Sequence, residues 1–325
     1  MHKETYVAGC RASGKLHIGN YLGLVKDLLK TQETENLQRF YFIADLHALT
    51  TPFEPKELTQ NTLEVAASYL ALGIDPNKTV FFAQNQVMEH AYLAWIFNCI
   101  TPLSELERMT QYKDKAKQHK QNINAGLLTY PALMAADILL YKPSSIPVGE
   151  DQIQHVELAR VVARKFNNKF GQTFPEPKTY LRKPLRIMSL SDPNKKMSKT
   201  GDEALLLDDS PEEIARKLKK AVTGSSPDGK NPGAENLMYL LEHFGKAPEI
   251  KYFKEKQEFG NLQYSELKTK LAEDITNYFA EFREKKAELL SRTDYLAQVL
   301  GDGARSAREV ASATLLEVKQ KIGLL

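Results

Sequence analysis

Short apolar runs alternate with longer helically spaced stretches along the first half of the chain. Tyr6–Cys10, Phe40–Ala44 and Val80–Ala83 are rich in aromatic and β-branched residues, and each precedes a segment in which apolar positions recur at helical spacing. Thr62–Leu72, ending at Gly73, is one such helix, and His90–Ile100 is another that carries the only tryptophan, Trp95. Strand–helix repetition of this kind predicts right-handed crossovers and an α/β fold, a Rossmann-type doubly wound parallel sheet whose ligand sits at the carboxyl ends of the strands. Further on, Tyr130–Tyr141 reads as an apolar helix, Ile146–Val148 as a strand and Asp151–Phe166 as a helix. The apolar run RIMSL, holding Ile187, reads as the last strand.

From about residue 204 the pattern becomes helical throughout. Ser210 is placed to cap a helix that begins with Pro211 and has acidic residues in its first turn. GSSPDGKNPG is a loop, and Ser265 to Leu325 keeps helical periodicity broken only at Gly301–Gly303. The expected organisation is a catalytic domain over 1–203, with a helical insertion at about 103–145, followed by an all-helical domain over 204–325 whose last helix returns to the first.

Composition narrows the class. With 325 residues, 42% of them hydrophobic, the chain can bury a sizeable core. No apolar run reaches the length of a membrane span, and the charged start at Met1–Glu4 leads straight into a strand, so the expectation is a cytoplasmic protein without a signal peptide. Cys10 and Cys99 are the only cysteines, which rules out a cysteine-rich metal site and leaves them as ordinary thiols; no metal-binding residues are expected. A net charge of +3 means that any nucleic acid must meet a local basic surface. Lys113, Lys115, Lys117 and Lys120 cluster around Tyr112 and His119, as either a solvated helix face or a phosphate contact.

Candidate chemistry begins at VAGCRASGKLHIGNYLG, residues 7–23. Gly14 and Gly19 allow close approach to the backbone, and the helix start that follows offers unpaired N–H groups suited to phosphate. His17 and Asn20 lie about one helical turn apart and can point at one place. Where the strand Phe40–Ala44 ends, Asp45 reads as a strand-end cap, and His47 either lines the ligand crevice or belongs to the local turn. Tyr130, Met134 and Asp137 share one helix face, and Asp137 is the only charge in its apolar segment. Burying it costs several kcal/mol unless it is paired, so a partner is required.

The HIGN segment, residues 17–20, and the KMSKT segment, residues 196–200, resemble in this order the HIGH and KMSKS signatures of the class I aminoacyl-tRNA synthetases. LLTYPALMAADILLY and IPVGEDQIQHVELAR, between them, are similar to the tryptophanyl branch, and the resemblance runs from Tyr6 to about Leu325. It implies ATP-dependent activation of L-tryptophan with Mg²⁺, transfer to tRNA(Trp), anticodon recognition by the helical domain, and a homodimer for which the helix around His90–Ile100 is a candidate interface. His17, Asn20, Lys196 and Lys199 would be catalytic, neutralising charge on the departing pyrophosphate. ATP would be held by Arg11, Ala12, Ser13, Gly19, Asn20, Gly149, Glu150, Asp151, Ile187, Lys196, Met197, Ser198, Lys199 and Thr200. Tryptophan would be held by Tyr130, Met134, Asp137, Gln152 and His47, with Asp137 accepting the indole N–H.

Met134 separates this branch from the tyrosyl enzymes, which carry glutamine at the matching place; a thioether suits a flat indole. The sequence departs from the family pattern at Ala12, where proline is usual, at Asn20, where other branches have histidine, and at Thr200, where serine is usual. The rival readings are a tyrosine–tRNA ligase, a smaller nucleotidyltransferase of the same superfamily, and a catalytically silent RNA-binding relative. The first is opposed by Met134, the second by the long helical region, and the third by the polar residues kept in both signatures.

Overall fold

The structure is a computed structural model and describes residues 4–118, 123–149, 152–181, 187–197, 204–224 and 231–325. Strands β1 (Glu4–Arg11), β2 (Leu37–Ala44) and β3 (Val80–Ala83) form a parallel sheet in that order, with Val7 opposite Phe40 and Phe40 opposite Val80. A second parallel pair joins β4 (Ser145–Val148) to β5 (Lys178–Leu181). The first signature opens α1 (Ile18–Asn20), which runs through a π-helical turn at Tyr21–Val25 into α2 (Lys26–Thr31). Helices α3 (Pro55–Ala71), α4 (Glu89–Ile100), α5 (Leu103–Glu107), α6 (Thr110–Gln118), α7 (Ala125–Leu139) and α8 (Ile153–Phe170) follow. Beyond residue 204 come α9 (Pro211–Lys220), α10 (Pro232–Phe244), α11 (Ala247–Glu258), α12 (Tyr264–Tyr278), α13 (Ala280–Leu290) and α14 (Thr293–Ile322). The chain is thus an α/β protein with a parallel sheet and a helical C-terminal region, as its periodicity predicts.

Packing divides it into two units, one from Met1–Gly14, Leu29–Pro184 and Arg292–Leu325, the other from Lys15–Leu28 and Leu185–Ser291. In the first, Phe40, Phe42, Phe82, Phe97, Phe166 and Phe174 are buried together with the inward faces of α7 and α8. The apolar stripe Ala304, Ala307, Ala311 and Val318 of α14 joins the same core, and Thr314 donates to the Leu140 carbonyl at 2.8 Å. This burial explains why α14 passes unbroken through Gly301–Gly303, where the sequence suggests an interruption. Any side chain at Gly303 would begin 1.9 Å from the Phe81 carbonyl oxygen, so the glycine is the condition for α14 to lie against β3.

The second unit buries Leu237, Leu240, Leu241, Leu267, Leu271 and Ile275. Tyr21 packs there edge-on against Phe279 at 5.1 Å, and its hydroxyl meets that of Tyr278 at 2.6 Å. Ser210 accepts from the Glu213 N–H at the start of α9, the cap that the sequence predicts.

Two local expectations are corrected. Of RIMSL, Arg186 lies outside the described residues, and Ile187–Leu190 form no strand: only an isolated antiparallel bridge joins Met188 to Lys196, because no neighbouring strand is offered among the described residues. Asp45 makes no cap to its own turn; it accepts the backbone and side-chain N–H groups of Asn85 and so ties the end of β2 to the turn after β3.

Replacing Gly303 by alanine should cost about 1–3 kcal/mol of stability through overpacking. Gly301, with open space around it, should accept alanine with a gain of up to about 1 kcal/mol in helix propensity. Urea midpoints of the two variants measure the contrast.

Candidate functional site

Asp137 is the most constrained group in the first unit. It projects from α7 into a fully buried position where burial pushes its pKa up. Hydrogen bonds from His47 and His90, with the attraction of those rings, outweigh the burial and hold the carboxyl at about 2. His47 Nε2 lies 2.7 Å from Oδ2, while His90 Nδ1 and the Gln84 side-chain amide each lie 2.6 Å from Oδ1. These donors come from the turn Leu46–Thr50 after β2, the turn Gln84–Gln86 after β3, and α4. On its far side His90 meets the Tyr141 hydroxyl at 2.8 Å, and burial raises that phenol's pKa above the ordinary range, so it stays protonated and donates. The rings of Phe42 and Phe82 flank His90 at 5.7 and 5.9 Å.

Tyr130, two turns before Asp137 on α7, stands 6.0 Å edge-on to His47. Its hydroxyl pairs with His155 Nε2 of α8 at 2.8 Å, and burial, partly offset by the Arg11 charge, pushes its pKa up to about 12. The Lys115 ammonium lies 4.6 Å over its ring. Burial and the neighbouring charge of Arg11 lower the Lys115 pKa to about 8. Met134, on the turn between Tyr130 and Asp137, is half-buried against the core. A cavity of about 160 Å³ opens beside His47, with Arg11, Ala12 and Ser13 from the end of β1 on one wall and Asn61 of α3 on another. Gln152 caps the start of α8, its N–H donating to the Gly149 carbonyl at 3.0 Å.

The described residues of the two signatures lie within the second unit. His17 is the N-cap of α1, and its backbone N–H donates to the Asn20 side chain at 3.1 Å. Leu16–Ile18 is clipped to the chain at Leu205–Leu207 by the bonds Ile18 N–H to Leu205 O and Leu207 N–H to Leu16 O, each 2.9 Å. Gly19 is required here, because a side chain on it would start 2.8 Å from the His17 ring. The same position faces Ile187 at 3.9 Å, and the Ile187 carbonyl accepts the Met197 N–H at 2.9 Å. Asn236 of α10 clamps Met188 from both sides, accepting its N–H and donating to its carbonyl at 3.0 Å each. Lys196 is exposed beside the buried Met197.

The sequence candidates therefore fall into two sets. Arg11, Ala12, Ser13, His47, Tyr130, Met134, Asp137, Gly149 and Gln152 belong to the first unit, and His17, Gly19, Asn20, Ile187, Lys196 and Met197 to the second. Glu150, Asp151, Ser198, Lys199 and Thr200 lie outside the described residues. Sequence pattern does not single out Gln84, His90, Tyr141, His155 or Asn236, and it presents Lys115 only as one charge in a run. The signal for His90 and Tyr141 was the one that singled out Asp137, a polar group inside an apolar helix; Gln84 and Asn236 give no such sign.

Residues 2–280 match the family of class I tRNA synthetases for W and Y, tryptophan and tyrosine. The chain is 45% identical to the tryptophan–tRNA ligase of Caldanaerobacter subterraneus subsp. tengcongensis, with 98% of each covered. It is 42% identical to that of Clostridium tetani over all of this chain and 97% of the relative. Its fold matches the crystal structure of tryptophanyl-tRNA synthetase from Campylobacter jejuni complexed with ADP and tryptophan, with a TM-score of 0.86 and 36% identity over 98% of this chain and 99% of that one. The Mycoplasma pneumoniae synthetase matches equally, at 0.86 and 35% identity over 99% and 98%.

The lowered pKa of Lys115 sets a pH dependence. Between about 8 and its ordinary 10.5 the unfolded chain holds this proton while the folded chain has released it, so stability from this group rises with pH across that window. Denaturant midpoints from pH 7.5 to 10.5 should show a rising contribution that Lys115→Met removes.

Proposed function

The chain belongs to the class I tRNA synthetases of the tryptophan and tyrosine branch, and we infer that its amino acid is the first of the two. It condenses L-tryptophan with ATP to tryptophanyl-adenylate, releasing pyrophosphate, and passes the tryptophanyl group to the 3′-terminal ribose of tRNA(Trp), releasing AMP. The observation that carries this choice is the buried, ionised Asp137 on the same face of α7 as Met134 and Tyr130. An ionised carboxylate is acceptor-only and calls for a donor on the ligand, which the indole N–H supplies; the thioether beside it suits a flat apolar ring. Full-length identity to tryptophan ligases supports the same substrate.

The chemistry needs no protein nucleophile, because the tryptophan carboxylate attacks the α-phosphorus and the pyrophosphate departs. What the protein supplies is position and charge. We assign Tyr130, Met134, Asp137, Gln152 and His47 to the amino acid. We assign Arg11, Ala12, Ser13, Gly149, Glu150, Asp151, Ile187, Met197, Ser198 and Thr200 to ATP, together with Gly19, whose missing side chain makes room for the His17 ring. His17, Asn20, Lys196 and Lys199 are assigned to the charge that builds on the leaving pyrophosphate. Support for the nucleotide reading comes from the ADP and tryptophan carried by the Campylobacter jejuni relative.

Mg²⁺ neutralises phosphate charge when it accompanies ATP. The described residues hold no cluster of three metal-ligating side chains, so its oxygens would come from the phosphates and water. Arg11 and Lys115 give the pocket two cations of its own.

The helical region after residue 204 is assigned to the tRNA anticodon. A homodimer is supported by α4, whose start and outer face expose Met88, Tyr92, Trp95 and Cys99 at helical spacing, with Met88 73% and Trp95 69% exposed. Among the described residues no helix is long and apolar enough to cross a membrane. A cytoplasmic site is proposed because ATP and tRNA are met there.

Amino-acid-dependent exchange of labelled pyrophosphate into ATP tests the reading. Exchange with tryptophan, and not with tyrosine or phenylalanine, is the expected result; exchange with tyrosine alone would overturn the pocket assignment. Asp137→Asn should raise the KM for tryptophan by at least about tenfold, the loss of one charge-assisted hydrogen bond, and leave the KM for ATP nearly unchanged. Sedimentation of Trp95→Glu should show monomer where the parent protein is a dimer.

A further inference from the structure

The hydrogen bonds around Asp137 are asymmetric, and the asymmetry has a direction. A carboxylate oxygen accepts about two hydrogen bonds. Among the described residues Oδ1 has two, from Gln84 and from His90 at 2.6 Å each, whereas Oδ2 has one, from His47 at 2.7 Å. Gln84 and His90 are fully buried, so the Oδ1 side is closed; Asp137 is itself buried, and His47, its partner on Oδ2, borders the cavity beside Arg11, so Oδ2 is the oxygen on the cavity side.

The proton positions follow from the acceptor. Asp137 is ionised and cannot donate, so His90 Nδ1 must carry a proton and give it to Oδ1. Its Nε2 is then the acceptor of the Tyr141 O–H at 2.8 Å. The chain Tyr141 O–H to His90 Nε2, then His90 Nδ1–H to Asp137 Oδ1, runs one way and gives both ring nitrogens a partner. Tyr141 is itself fixed, its ring stacked on Phe40 at 4.2 Å.

Resting on the assignment of Asp137 to the indole N–H, we propose that His90 and Gln84 are positioning residues for amino-acid selection: they fill Oδ1 from the closed side, leaving on Oδ2, next to His47, the single acceptor position that the ring N–H of tryptophan takes. Neither touches the substrate. Both act through the carboxylate, by fixing its rotation and by keeping it charged where burial would otherwise protonate it.

The test compares pyrophosphate exchange with tryptophan and with its benzothiophene analogue, β-(benzothiophen-3-yl)alanine, in which sulfur replaces the N–H. The unsubstituted protein should prefer tryptophan. In His90→Leu the KM for tryptophan should rise at least about tenfold with the KM for ATP within about twofold, and the preference over the sulfur analogue should fall by a similar factor. His90→Asn, whose amide can donate from near the Nδ1 position, should recover most of the preference. Tyr141→Phe removes only the hydroxyl that orients His90, leaves the packing intact, and should lower the preference by about threefold or more. Circular dichroism checks that each variant folds; should His90→Leu fail to fold, Tyr141→Phe decides the question. Equal losses with tryptophan and with the sulfur analogue would mean that His90 only fills space, and would overturn the proposal while leaving the function standing. Absence of tryptophan-dependent exchange by the unsubstituted protein would instead overturn the ligase reading and the proposal with it.

Discussion

A carboxylate buried in an aromatic core is tolerable only if the protein brings donors to it, and much of the first unit is arranged to do so. Asp137 sits where α7 faces the sheet, and the donors come from three separate places: the turn after β2, the turn after β3, and α4. Each is anchored elsewhere. Asp45 ties the first two turns together through Asn85, and Tyr141 holds His90 from behind. Removing the carboxylate would leave those donors facing one another in a dry interior, a cost of about 1–3 kcal/mol for each donor left without a partner. The network is therefore a structural commitment as well as the acceptor proposed for the amino acid.

The second unit solves a different problem in a different way. Its signature residues are arranged mainly by backbone bonds: Leu16–Ile18 against Leu205–Leu207, Ile187 to Met197, and the two-sided clamp of Asn236 on Met188. Backbone groups carry no side-chain freedom to lose, so they suit a place where a polyanion must come close to the chain itself. Gly19 belongs to this logic, since the His17 ring lies where its side chain would be. On the proposed assignments, selectivity for the amino acid would rest on buried side chains and the readiness to meet phosphate on chain geometry.

Much of this was legible in the sequence. The strands β1 to β4 were, because short aromatic and β-branched runs between helical stretches have few alternatives, and β3 falls at Val80–Ala83 as the pattern predicts; β5 at Lys178–Leu181 was not. Asp137 was, because a lone charge in an apolar helix advertises a need. What the sequence could not display was who meets that need. Gln84 and His90 are 53 and 47 positions away from Asp137 along the chain, and only the crossing of α4 over α7 brings His90 into range. Gly301–Gly303 misled for a related reason: propensity counts glycine as a break, whereas the close approach of Gly303 to β3 makes it a condition of packing. RIMSL misled because apolar composition alone does not supply a neighbouring strand.

On the proposed assignment of Asp137 to the indole N–H, selectivity against tyrosine would follow from rigidity rather than from charge. A phenol hydroxyl is a donor too, and a freely rotating carboxylate could turn to greet it. A phenylalanine ring, by contrast, offers nothing and would leave the Oδ2 position empty, a loss that needs no rigidity to be felt. With Oδ1 held from two sides by groups that are themselves packed, rotation would break two short hydrogen bonds to form one, so Asp137 accepts only a donor that arrives at Oδ2. On the same proposal Met134 sets which ring can lie flat while its donor reaches that place. A polar residue there would reward a hydroxyl; a thioether does not. The two residues act together, one fixing where the donor must be and the other fixing the ring that brings it.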